Sequence, residues 1–150
     1  MPFQFSLAAL LRFRQSIEQQ QETLLQQANQ KVAGLRRGIE DVQRAAAEVT
    51  ANDARELASG LRAAELHFSK VRRAVLLEHY SRLEKELAAA LQVQLQQRLA
   101  FQKARQQREV VATLKEHQLQ EFHQQESRDE QRRLDDLLLV RREFLRRHDW

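Results

Sequence analysis

The sequence predicts an all-α protein, a long antiparallel two-helix coiled-coil hairpin with an extended C-terminal helix. Three observations predict it. Only three Gly and one Pro occur in 150 residues, too few to fold the chain back more than once or twice. The dominant residues are Leu, Ala, Glu, Arg and Gln, the last present 21 times, and all favour helix. Apolar residues also recur at spacings of three and four, the rhythm of a helix that buries one stripe. Hydrophobic residues reach 42%, but many are Ala, which suits a narrow seam better than a thick core.

Helix one is expected over about residues 6–50. Ser6 can cap its free N–H groups, with Phe5 stapled on Leu10. The apolar positions Leu7, Leu10, Ile17, Leu24 and Ala28 are out of register with Leu35, Ile39, Val42, Ala46 and Val49. The step from Ala28 through Val32 to Leu35 therefore reads as a stutter. Gly34 and Gly38 lie nearby, where close backbone approach or a soft spot is expected. The turn is placed at about 50–54, on Thr50-Ala51-Asn52-Asp53, because Asn and Asp suit turns and caps. Ser59-Gly60 is the competing break.

Helix two is expected over about 54–147, with one elongated domain spanning 1–150. Its seam reads Leu57, Leu61, Ala64, Phe68, Val71, Val75, Leu76, Tyr80, Leu83 and Leu87, then Leu91, Leu95 and Leu99. A bend at 50–54 pairs Val49 with Leu57, Val42 with Leu61 and Ala64, Ile17 with Leu87, and Leu10 with Leu95. Roughly the last 50 residues are then left without a partner in the chain. Residues 102–109 and 115–133 are polar, as a lone helix should be. Apolar content returns at Leu134, Leu137–Val140, Phe144, Leu145 and Trp150, and such a patch reads as a docking surface.

The net charge of +4 comes from basic residues interleaved with acidic ones, which is a solvated coiled-coil face and not the clustered footprint of a nucleic-acid binder. With no Cys, disulfides, thiol catalysis and zinc knuckles are excluded. His67, His79, His117, His123 and His148 form no His-x-x-x-His or Glu-x-x-His pair, so helix-borne metal sites lack their spacing. Asp135 and Asp136 are adjacent and point to different faces, a poor arrangement for acid–base work. No enzyme activity, cofactor, metal or small-molecule substrate is expected. No secretory signal is read at the N-terminus, and no apolar run approaches the ~20 residues of a membrane span.

Two segments resemble the FliJ family of the bacterial flagellar export apparatus. The opening Phe3-Gln4-Phe5-Ser6-Leu7-Ala8-Ala9-Leu10-Leu11-Arg12-Phe13-Arg14 is similar to that family's start. Arg128-Asp129-Glu130-Gln131-Arg132-Arg133-Leu134-Asp135-Asp136 resembles its Arg-x-Glu-Gln-Lys-x-Leu-Asp-Glu stretch, with Arg132 for Lys and Asp136 for Glu. The resemblance implies a coiled coil like a rotary-ATPase stalk. It implies three partners: the hexameric flagellar export ATPase, the membrane export gate and export chaperones. It also implies a cytoplasmic protein held at the inner membrane through that apparatus. The ATPase-facing portion would be Phe3–Phe13 with 128–150, and Arg128, Gln131, Leu134, Asp135, Leu138 and Phe144 are the expected contacts. Phe68, Val75 and His79 are the expected contacts for gate or chaperone, unless Phe68 and Val75 are seam residues. The alternatives are an injectisome (type III secretion) stalk counterpart and a basic coiled coil that binds nucleic acid or serves as a scaffold.

Overall fold

A computed structural model describes residues 2–60 and 62–148. They form two long helices, α1 (Ala8–Ala58, 51 residues) and α2 (Ala63–His148, 86 residues), and no strand occurs among the described residues. The expected all-α fold with two helices packed against each other is what forms. Contacts group the chain into two compact units, residues 18–103 and residues 1–17 with 104–150.

The reversal is not at 50–54. Those residues are helical, and α1 runs on to Ala58. The polar side chains expected to form the turn find partners either within α1 or across on α2. The Thr50 hydroxyl donates to the Ala46 carbonyl at 3.0 Å, and the Asn52 amide reaches the Glu56 carboxylate at 3.5 Å. Asp53 faces inward, 8% exposed, and accepts hydrogen bonds from the Ser69 hydroxyl and the Arg73 guanidinium. The break falls at Ser59-Gly60. The Ser59 N–H closes on the Glu56 carbonyl at 3.1 Å, and Gly60 takes φ of 90°, the left-handed conformation that ends helices at glycine. Leu61, read as a seam residue, lies outside the described residues. In the first turn of α2, Glu65 sits where a carboxylate complements the positive helix end.

Moving the turn changes the register. In the unit 18–103, Asp53 meets Ser69 and Arg73. Gly38 lies under the Leu83 methyl groups, and the Gln94 amide donates to Asn29 at 2.7 Å. The helices are therefore antiparallel, but each α1 residue meets α2 about sixteen residues further along than in the expected pairings of Val49 with Leu57 and Val42 with Ala64. Leu57 stays on α1 and is exposed. On α1 the inward positions are Leu25, Ala28, Val32, Leu35, Ile39, Val42, Ala46, Val49 and Asp53, each three or four from the last. No stutter separates them. Leu24, which implied one, is exposed beside the inward Leu25. On α2 the inward positions are Ser69, Leu76, Tyr80, Leu83, Leu87, Ala90, Gln94, Gln97 and Phe101. Leu91, Leu95 and Leu99, read as seam, are exposed, and the small or polar Ala90, Gln94 and Gln97 take their place.

In the other unit Phe5, Leu11 and Val111 are buried together, with Phe3, Leu7, Leu10 and Ala112 packed on them. Leu10 thus joins the cluster that holds Phe5, while Leu95 is exposed. Ser6 lies in a turn before the first helical residue, Ala8, whose N–H bonds the Phe5 carbonyl at 3.2 Å. The Phe3 and Phe122 rings meet at 5.5 Å, and Arg14 donates to Gln107 at 2.8 Å. Residues 102–122 are therefore not a bare helix, as Ala104 and Val111 are buried.

Candidate docking surfaces

From His123 to His148 every residue of α2 is exposed. At 1.5 Å per residue this is about 39 Å of helix that packs on no other segment among the described residues. It carries the six side chains expected to meet an ATPase. Leu134 is 56% exposed, Leu138 62% and Phe144 59%. Gln131 donates to Asp135 at 3.2 Å, one turn apart, which leaves the Asp135 carboxylate free to accept more. Arg128 is exposed on the same helix. Phe144 stacks on the His148 ring at 4.1 Å, a local contact that leaves most of the phenyl surface in solvent. Leu137, Leu139 and Val140 are also more than half exposed, so one helical turn shows apolar surface in every direction. Trp150, read with this patch, lies outside the described residues.

The second expected surface is near the reversal, in the unit 18–103. Phe68 is 65% exposed and Val75 57%, with Val71 between them also exposed. These positions are three and four apart, so they form one outward stripe, and exposed His79 follows Val75 by four residues. The seam reading of Phe68, Val71 and Val75 is corrected, because Ser69 and Leu76 occupy the inward positions beside them. Phe68 also borders a groove of about 410 Å³, whose lining includes Asn52, Asp53, Glu56, Glu65 and Arg72.

Sequence reasoning missed the group Asp53, Ser69 and Arg73. Its signal was available, since Asp53 and Ser69 continue the three–four spacing of Val49 and Leu76. A search confined to large apolar residues passes over it. It also missed that Phe3 and Phe5 are turned into a cluster, whereas Phe13 is 57% exposed.

Among the described residues no group of three or more His, Cys, Asp or Glu could hold a metal ion, and no helix is long and apolar enough to cross a membrane. Fold and surfaces together define a two-helix protein that leaves apolar faces exposed on both of its helices. The model of the flagellar FliJ protein matches residues 3–148, and the chain belongs to that family. It is thus a flagellar export-related component, in a family that is structural and not catalytic. No curated protein and no solved structure matches the chain.

Proposed function

We propose that this chain is a stalk-like coiled coil that docks in the hexameric ring of the flagellar export ATPase. It couples the ring to the membrane export gate and handles export chaperones. On this reading it acts at the cytoplasmic face of the inner membrane, held there through the export apparatus. It is required for flagellum assembly, and hence for motility and chemotaxis. The family match favours this flagellar role over the injectisome counterpart.

One observation carries the reading, the apolar turn Leu137–Val140 on the exposed stretch of α2 that packs on none of the described residues outside its own helix. A helix apolar on all sides calls for an enclosing environment, and a ring supplies one where a single flat partner does not. Arg128, Gln131, Leu134, Asp135, Leu138 and Phe144 are the contacts assigned to the ATPase. Phe68, Val75 and His79 are assigned to the gate or a chaperone, with Phe68 as the aromatic anchor.

The test is deletion of residues 134–150. The shortened protein is expected to keep its helical hairpin by circular dichroism and to lose stimulation of the export ATPase. Stimulation at full strength without those residues refutes ring docking.

A further inference from the structure

The exposed part of α2 has a charge polarity that the ring-docking reading does not use. Residues 126–136 carry the acids Glu126, Asp129, Glu130, Asp135 and Asp136 against three Arg. Residues 137–148 reverse this, with Arg141, Arg142, Arg146 and Arg147 against Glu143 alone. The apolar residues Leu134, Leu138 and Leu145 share one face, spaced four and seven apart. We propose that this segment pairs antiparallel with the same segment of a second copy, through an isologous two-fold interface.

The geometry follows from the spacing. With Leu134 opposite Leu145 of the second copy, Leu138 lies opposite Arg141, whose aliphatic stem covers it while the guanidinium reaches water. Beside this seam Asp135 then approaches Arg142, and the two-fold axis repeats the pair. Leu137 and Phe144 close the other flank. A parallel arrangement would set acidic half on acidic half and basic on basic, so charge selects the antiparallel one. Such rim charges choose orientation more than they add affinity.

About 23 residues per copy form a contact only ~35 Å long. One helix pair over that length buries an area no larger than the low end of the ~1,200–2,000 Å² typical of stable complexes, so the pairing is reversible and depends on concentration. Self-pairing covers Leu134, Leu138 and Phe144, the side chains assigned above to the ATPase. A free copy is therefore kept from other apolar surfaces, and release of its twin precedes docking.

The chain has no Cys, which permits a direct test. Leu134→Cys and Leu145→Cys are made separately in the full chain, at exposed positions that folding does not need. Under mild oxidation the mixture of the two variants is expected to yield at least about tenfold more disulfide-linked dimer than either variant alone, the bias that a ~1.4 kcal/mol orientation preference would give. Sedimentation of the wild-type chain should show a monomer–dimer equilibrium, shifted to monomer by Asp135→Arg and restored by adding Arg142→Asp. Equal or better linking by one variant alone overturns the antiparallel arrangement. A monomer at every concentration overturns the pairing itself. Neither result bears on ATPase stimulation, which the deletion above measures.

Discussion

At the scale of single residues, the least expected feature is a carboxylate in the seam. Asp53 is buried against Ser69 and Arg73 close to the reversal. A polar residue at an inward position costs stability compared with Leu, but it accepts only one register, since a slipped helix would leave the charge unpaired. The Arg73 side chain is 48% exposed, so solvent screens part of the ion pair. Asp53→Ala is therefore expected to cost about 1–2 kcal/mol, mostly from lost hydrogen bonds to Ser69 and Arg73. Urea unfolding followed at 222 nm measures it, and an unchanged midpoint would show that the network is idle. A second residue-scale prediction uses the only tyrosine. Hydrogen bonding to the Glu84 carboxylate, and then its negative charge, raise the Tyr80 hydroxyl above its ordinary pKa. A negative neighbour disfavours phenolate, so removing it should ease ionisation. Glu84→Gln is expected to lower the midpoint of the ultraviolet tyrosinate titration, and a constant midpoint would assign the shift elsewhere.

At the scale of elements, glycines in two settings make opposite forecasts for one substitution. Gly34 lies mid-helix in α1, and a Cβ added there meets nothing within 4 Å. Gly34→Ala should stabilise by about 1 kcal/mol, the helix-propensity difference. Gly60 has φ of 90° at the end of α1, where an L side chain is strained. Gly60→Ala should destabilise by about 1–2 kcal/mol, and thermal melts of the pair check both signs. This contrast also shows what was legible in the sequence. Val32, Leu35, Ile39, Val42, Ala46 and Val49 were readable as one stripe, as were Leu76, Tyr80, Leu83 and Leu87. The turn was misplaced because Asn52 and Asp53 suit a turn and suit a helix equally once partners exist across the seam. Partners are a tertiary property, and local propensity does not contain them. The misplaced turn then drew Leu91, Leu95 and Leu99 into the seam by size, although the correct register needs Ala90, Gln94 and Gln97 there. The Gln97 amide oxygen is buried without a hydrogen-bond partner, so this part of the seam is not optimised for stability. Of the expected contact residues, the outward faces of Leu134, Leu138 and Phe144 could be named in advance. Whether Phe68 faced out or in required the register.

For the whole molecule, the question is which residues hold it folded and which are reserved for others. Apolar burial stabilises at roughly 25 cal/mol per Å². The buried side chains belong to Phe5–Val49 on one side and Ala90–Val111 on the other, with Asp53 added. Beyond Phe122 no residue through His148 is even half-buried, so that stretch contributes almost nothing of this kind. Its helix is sustained by continuation from the packed part, which spares it the cost of nucleation. One-turn contacts also help, such as Gln125 with Asp129 at 3.3 Å and Gln131 with Asp135. Each is worth only a few tenths of a kcal/mol. Truncation after His123 should therefore leave the unfolding free energy within about 0.5 kcal/mol of the full chain, although 25 helical residues are lost. Measured at dilution, where copies do not meet, the urea midpoint should hold while the helical signal falls in proportion to length. Hydrogen exchange should agree, with amides of 124–148 exchanging fast and those around Leu83 and Val111 slowly. A large loss of stability on truncation would mean that the distal helix packs inside the chain. In that case its leucines would not be free for a partner, and the docking role assigned to them would fail with it.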